Sequence, residues 1–281
     1  MTTNRALCAY HSSGRTSTHN NLILITPQCS SKVTVDSIDT LSIKTLIQPR
    51  PKDNTQETFI RVSSNLRKIP RISISQAIDK ISFISLNVRS VKKKSTSICD
   101  LMLSNNADIL ALTETWLGTL VDIPVISEIT PNGYSIHQIA RNGKTGGGVA
   151  VIHKSNIEVK RSKHSQTFSH FELLDCDVVV KSHNFRLCVI YPPPPSRKNK
   201  LKITTFFEGW SEFLDRLVVI PDELLITGDL NFHLDNVNLI ETRKCNETLS
   251  EHGLVQHVQG AAHNKGHTLD VVITRDNITI M

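Results

Sequence analysis

The spacing of apolar residues changes near residue 81, and this change divides the chain into two parts. Before residue 81, apolar residues occur in short patches without a sustained helical or strand period, among many Ser, Thr and Asn residues. After it, apolar β-branched runs alternate with amphipathic segments. We therefore predict a mostly disordered leader over residues 1–78, with at most one or two short elements, and a folded domain over residues 79–281.

The pattern after residue 81 predicts strands interleaved with a few helices. Strands are predicted at residues 81–88, 107–114, 147–153, 171–180, 185–191, 223–227 and 267–274. Helices are predicted at residues 95–106, at residues 241–252, and around a segment whose aromatic and leucine residues between 206 and 217 share one face. Such alternation is typical of one layered α/β domain of about 200 residues.

The net charge of +6 comes entirely from the first part of the chain. Residues 1–80 contain 11 Lys/Arg and 5 Asp/Glu, whereas residues 81–281 contain 21 of each. A basic leader attracts phosphate backbones without sequence preference, although a solvated leader with no partner is the simpler explanation.

Cysteine usage and hydropathy exclude some classes of protein. The six cysteines are scattered without a CxxC pair, which favours free thiols in a reducing, intracellular compartment over a disulfide framework or a zinc module. No apolar run approaches the roughly 20 residues of a membrane helix, so we expect no membrane association.

Two polar residues follow predicted strands early in the domain. Asn87 ends the first strand, where an amide can position a metal, a water or a phosphate oxygen, although a turn residue is the simpler interpretation. Glu114 ends the second strand. A carboxylate there is costly to desolvate unless it is paired or bound to a cation such as Mg²⁺, although Glu114 alone could equally be a surface residue.

Later strands carry further polar residues at or near their ends. Tyr191 precedes four prolines, and its phenol could bind a phosphate or pack at the domain edge. Asp229 and Asn231, in a GDLN motif, point the same way in an extended chain and together could orient a water nucleophile. Asp270 lies in an apolar strand and needs a partner, such as Arg, His or a hydrogen-bond network.

The order N…TE…Y…GDLN…LD resembles that of the endonuclease/exonuclease/phosphatase superfamily. The surrounding segments further resemble the endonuclease domain of vertebrate non-LTR (LINE-like) retrotransposons, which nicks target DNA to prime reverse transcription. These segments are SLNVRSV, ILALTETWL, GGGVAVIHK, FELLDCDV, GDLNFHLD and HNKGHTLDVVITR. The resemblance covers essentially everything after the basic leader.

The resemblance implies a four-layer α/β sandwich, with two packed β-sheets flanked by helices. It implies Mg²⁺ as the cofactor, with Mn²⁺ as a substitute, held by Glu114 with Asn87 nearby. It also implies DNA as the partner and the nucleus as the place of action.

The resemblance also implies roles for the later residues. Asp229 would orient or deprotonate the attacking water, Asn231 would support that water and the phosphate, and Tyr191 would contact the scissile phosphate. Asp270 would orient a histidine in a later Ser-Asp-His motif. No such motif follows Asp270 in this sequence.

From that departure we expect a C-terminally truncated copy that lacks its last strand and has impaired nicking activity. We also expect no reverse transcriptase domain in this chain. The alternative hypothesis is a catalytically inactive remnant that binds nucleic acid. A third, a phosphatase or lipid phosphodiesterase of the same superfamily, fits the retrotransposon-like segments less well.

Overall fold

The computed structural model contains two six-stranded sheets and four α-helices among the residues that it describes. One described segment, His19–Thr26, falls within the predicted leader and forms a strand. The rest of the leader lies outside the described residues, and its boundary at residue 78 stays a prediction. The structure describes residues 19–26, 81–118, 120–141, 146–163, 165–180, 183–194, 202–258, 268–276 and 279–280.

The first sheet combines a parallel central pair with antiparallel neighbours. Its strands are β1 (His19–Thr26), β2 (Ile81–Asn87), β3 (Ile109–Thr113), β4 (Tyr134–Ile139), β5 (Val149–Lys154) and β12 (Thr279–Ile280). Their order is β12-β1-β2-β3-β5-β4, and β2 and β3 are the parallel pair. All five residues of β3 are buried, as its near-continuous apolar run predicts.

The second sheet has the same kind of arrangement. Its strands are β6 (Glu158–Arg161), β7 (Glu172–Val180), β8 (His183–Tyr191), β9 (Glu223–Asp229), β10 (Leu254–Gln256) and β11 (Asp270–Arg275). Their order is β10-β11-β9-β8-β7-β6, and β8 and β9 run parallel. Within the described residues, the other neighbours in this sheet pair antiparallel.

Helices cover the outer face of each sheet. The helices are α1 (Ser95–Ser104), α2 (Ile123–Glu128), α3 (Ile203–Val218) and α4 (Ile240–Glu251), with a 3₁₀ turn at Leu120–Asp122. Helices α1 and α2 pack on the first sheet, and α3 and α4 pack on the second. No helix in the described part of the chain is long and apolar enough to cross a membrane.

The main core lies between the two sheets. Phe83 and Val151 from the first sheet pack with Leu174, Val189 and Val272 from the second. Because each strand alternates its side chains, the opposite residues of the same strands meet the helices. The molecule is therefore helix on sheet on sheet on helix, which confirms the predicted four-layer α/β sandwich.

Candidate active site

Four strands end together at one edge of the sandwich. Strands β2 and β3 are parallel in the first sheet, and β8 and β9 are parallel in the second. The carboxyl ends of each pair therefore lie side by side. Strand β2 packs against β9, and β3 packs against β8 and β9. Asn87, Glu114, Tyr191 and Asp229 lie at these four ends and come into contact across the two sheets.

Asn87 links the two carboxylates of the site. Its Nδ2 donates to Glu114 Oε1 at 3.1 Å and to Asp229 Oδ2 at 2.6 Å, while its Oδ1 accepts the backbone N–H of Arg89 at 3.2 Å. The amide nitrogen, rather than the oxygen, therefore faces the carboxylates. The structure shows Asn87 as a hydrogen-bond donor, and its role as a metal ligand stays a prediction.

Glu114 and Tyr191 form a second contact between the sheets. Glu114 has a left-handed φ of 53°, and its carboxylate lies close enough to the Tyr191 hydroxyl to act on its pKa. Burial raises the pKa of Tyr191, and the negative charges of Glu114 and Asp229 raise it further. The phenol is therefore held in its protonated form, in which it can donate a hydrogen bond.

Asp229 is buried, and its carboxylate is held by two amides. Besides the Asn87 contact, its Oδ1 accepts the backbone N–H of Asn231 at 2.8 Å. The Asn231 side chain donates to the carbonyl oxygen of Pro192 at 2.8 Å, which ties the GDLN loop to the proline run after β8. Burial raises the pKa of Asp229, while the hydrogen bonds from Asn231 and Asn87 act in the opposite direction.

Gly228 is required for the close approach of β8 to β9 just before Asp229. Its φ is +143°, and a Cβ built at this position would lie 1.9 Å from the carbonyl oxygen of Ile190. Any larger residue would push the two parallel strands apart, so the glycine of the GDLN motif fixes where Asp229 projects.

Asp270 lies beside Asp229 in the same layer. The two residues are directly opposite each other in the antiparallel pair of β9 and β11, so their side chains leave the same face of the sheet. Asp270 is also buried. All six residues proposed from the sequence thus lie in one region, although their catalytic roles stay predictions.

The chemistry of the site fits a hard divalent cation. Mg²⁺ prefers oxygen ligands and usually takes only one or two protein carboxylates, because waters and substrate phosphates complete its shell. Glu114 and Asp229 supply such carboxylates, and both are hydrogen-bonded to the Asn87 side chain. Burial raises the pKa of Asp229, and a nearby cation would favour its charged form. Within the described residues, no cluster of three or more His, Cys, Asp or Glu is placed to hold a metal alone.

Ser85 and Thr227, which the sequence analysis did not identify, join the two sheets beneath the site. The hydroxyls of Ser85 and Thr227 are 2.8 Å apart, and the Thr227 hydroxyl is 3.0 Å from the carbonyl oxygen of Val271. They stand two residues before Asn87 and Asp229 and so share their faces of the strands. A small hydroxyl residue at that spacing is the signal that could have identified them.

Arg141 and Glu172 support Tyr191 from the side. The Arg141 guanidinium pairs with Glu172, and its central carbon lies 5.6 Å from the centroid of the Tyr191 ring. The other oxygen of Glu172 accepts the backbone N–H of Gly148 at 2.6 Å. No local motif marks this pair, because its two members are far apart in the sequence.

Comparison with known proteins agrees with this architecture. The chain belongs to the endonuclease/exonuclease/phosphatase family, whose family model matches residues 84–280. No curated protein matches the chain.

Solved structures with the same fold include two endonucleases. The endonuclease domain of TRAS1, a telomere-specific non-LTR retrotransposon, has a TM-score of 0.53 and 15% identity, covering 69% of this chain and 84% of that one. The AP endonuclease LMAP from Leishmania major has a TM-score of 0.52 and 16% identity, covering 68% of this chain and 77% of that one. At these identities the similarity establishes the shared fold.

Proposed function

We propose that this domain hydrolyses phosphodiester bonds in DNA with Mg²⁺ and nicks its substrate as a retrotransposon-type endonuclease. The observation that supports this most is the contact of Asn87 with both Glu114 and Asp229, which brings acidic and amide groups from two sheets to one point. Mn²⁺ is proposed as a substitute for Mg²⁺, and the nucleus as the place of action.

The residues divide the chemistry between them. Asp229 is buried with a raised pKa, so its carboxylate is suited to orient a water and accept its proton. Tyr191 keeps its proton and can donate to a phosphate oxygen. Glu114 would hold the metal, which when bound would neutralise negative charge that develops on the phosphate.

Two amides and one acid complete the proposed site. Asn87 keeps Glu114 and Asp229 in a fixed relation, and Asn231 holds Asp229 through its backbone N–H. Asp270, opposite Asp229 in the sheet, is proposed to set the orientation of a neighbouring catalytic group. DNA is the proposed substrate because two similar folds belong to a retrotransposon endonuclease and an AP endonuclease.

The first prediction is that Asp229→Asn lowers nicking of supercoiled plasmid by about 10²- to 10⁴-fold, the usual contribution of a general base. The amide keeps the shape of the side chain but cannot accept the proton of the attacking water. The assay uses the full chain with Mg²⁺, with Mn²⁺ and with EDTA, and thermal melting checks that the variant is folded.

Asp100→Asn, on the exposed surface of α1, is the matched control and should nick as the unmodified chain does. Equal activity of Asp229→Asn and the unmodified chain would contradict the assignment of Asp229. DNA binding without Mg²⁺-dependent cleavage by the unmodified chain would instead support the catalytically inactive alternative. Cleavage of phosphate monoesters or phospholipids in preference to DNA would support the third hypothesis.

A further inference from the structure

Trp116 is a large aromatic residue exposed next to the proposed catalytic site. Its relative exposure is 45%, whereas the other tryptophan of the chain, Trp210, is fully buried on the inner face of α3. Single exposed apolar residues are common on protein surfaces, so exposure alone carries no conclusion.

The backbone that presents Trp116 is held in an unusual conformation. Trp116 has a φ of 55° and Glu114 a φ of 53°, a left-handed geometry that costs about 1–2 kcal/mol per residue. The segment is fixed by backbone hydrogen bonds from Thr115 to Gly148 at 3.1 Å and from Trp116 to Gly147 at 2.7 Å. The backbone of this tryptophan is therefore held at the surface in a conformation that is unfavourable in free energy. Such strained conformations are often found at functional sites.

The indole also lies next to a glycine. A Cβ built at Gly146 would lie 3.6 Å from Trp116 Nε1, so a larger residue there would contact the ring edge. The nearby chain limits the positions open to the ring without burying it. A ring held in this way loses little conformational freedom when a flat ligand stacks on it.

The surface beside Trp116 is basic. Backbone hydrogen bonds from Ser90 to Glu114 at 2.7 Å and from Val91 to Thr115 at 3.0 Å join the segment to the loop after β2. That loop carries Arg89, Lys92 and Lys93 on its exposed side. Lys92 pairs with Asp122 at 2.9 Å. Arg89 and Lys93 remain as exposed cations on a loop bonded to this segment, and an aromatic ring near cations is a combination with which proteins bind nucleic acid strands.

We propose that Trp116 stacks against a nucleobase next to the cleaved phosphodiester bond and favours DNA in which that base is unpaired or easily unstacked. This inference rests on the proposed function. Trp116 follows Glu114 by two residues, which span at most about 7 Å. The stacked base would therefore belong to the part of the strand around the reacting phosphate. Stacking needs a free base face, which a mismatch, a bulge or a flexible pyrimidine–purine step supplies.

Tryptophan fluorescence tests the contact directly. In EDTA, so that no cleavage occurs, the full chain is titrated with a duplex that carries one unpaired base, and anisotropy of the labelled DNA reports saturation. Since Trp210 is buried, iodide should quench mainly Trp116 in the free protein, and DNA should lower both the Trp116 emission and its iodide quenching. Trp210→Phe gives the same test with Trp116 alone. Unchanged emission and quenching at DNA saturation would overturn the proposal.

Substitution tests the energetic contribution of the ring. Trp116→Ala should weaken binding to the duplex with the unpaired base by about 5- to 150-fold, the range for stacking aromatics. Trp116→Phe should retain most of the affinity, and Leu103→Ala, exposed on α1, is the matched control. On DNA with abasic residues beside the cleavage site, Trp116→Ala should leave the binding affinity unchanged, because no base is left to stack.

These outcomes separate the inference from the proposed function. Mg²⁺-dependent nicking with equal affinities of Trp116→Ala and the unmodified chain would overturn the stacking role and leave the nuclease assignment standing. An equal loss on abasic and intact DNA would show a structural role instead. Absence of any DNA binding would overturn both.

Discussion

At the scale of single residues, the Ser85–Thr227 pair links the stability of the sandwich to the geometry of the site. Both side chains are buried, and their hydroxyls lie 2.8 Å apart between the two sheets. A buried hydroxyl that has a hydrogen-bond partner lowers the stability of the fold little. When the partner is removed, the unpaired hydroxyl destabilises the folded state. The pair therefore favours the relative position of β2 and β9 that brings Asn87 to Asp229.

We predict that Thr227→Val lowers the free energy of unfolding by about 1–3 kcal/mol, because the Ser85 hydroxyl loses its partner in the core. Ser85→Ala should also lower the free energy of unfolding by a similar amount. The double variant should lose less of this free energy than the two single variants do together. Urea denaturation measures all three. Thr248→Val, at a half-buried position on α4 where the hydroxyl donates to the Lys244 carbonyl of the same helix, should change stability by less than about 0.5 kcal/mol. Strictly additive losses would show that the two hydroxyls do not interact.

The sequence predicts individual site residues better than their contacts. Asn87, Glu114 and Asp229 could be identified because each ends a strand whose apolar run is evident. The direction of the Asn87 amide and the support of Tyr191 by Arg141 could not, because both depend on how two sheets pack after the chain has folded.

At the scale of elements, the strands and helices that the sequence predicts best are those with the most buried residues. Strand β3 is wholly buried and α3 carries one continuous apolar face, and the pattern predicts both. The pattern of apolar residues does not indicate β4, all of whose residues are half-buried, or β6, in which Val159 alone is buried. Such edge strands are stabilised by pairing to a neighbour rather than by their own periodicity.

This molecule contains both buried and exposed ion pairs, and the buried ones form a cluster on β7 and β8. Arg186 is almost completely buried and pairs with Asp175 and Asp177, and its Nη2 also lies close to the Ser162 hydroxyl. Arg216 and Glu212, one turn apart on α3, are both more than half exposed. Removing one partner from the buried cluster leaves a charge without compensation, whereas solvent screens the exposed pair.

We therefore predict that Arg186→Met lowers the free energy of unfolding by about 3–5 kcal/mol, because Asp175 is left buried without its cation. The matched control Arg216→Met should cost less than about 1 kcal/mol. Chemical denaturation of both variants provides the comparison. Similar losses for the two would contradict the view that burial decides the energy of these pairs. Arg186→Met combined with Asp175→Leu should recover part of the loss, since no buried charge then remains at that pair.

At the scale of the whole molecule, each sheet carries a buried histidine that is sensitive to acid. His153, on β5 of the first sheet, stacks on His137 with ring centroids 5.5 Å apart. His257, after β10 of the second sheet, has its Nε2 2.7 Å from the Thr274 hydroxyl. Burial lowers the pKa of both His153 and His257 below the ordinary value of 6.5, and the nearby His137 lowers that of His153 further. The folded state thus favours the neutral form of both rings.

The last prediction is that acid destabilises the whole sandwich through these two buried histidines. A lowered pKa in the folded state means that the unfolded chain binds more protons, so stability rises with pH through the window between the two pKa values. The contribution of both histidines is complete above pH 6.5 and is lost as the pH falls through their lowered pKa values in the folded state. The melting temperature should therefore fall between pH 7.5 and pH 5.5, a range of about two units around the ordinary histidine pKa. The variant with His153→Gln and His257→Gln should show a shallower fall, although its stability at pH 7.5 is lower, while His233→Gln, at an exposed site, should keep the slope of the unmodified chain. An unchanged slope in the double variant would assign the acid sensitivity to other groups.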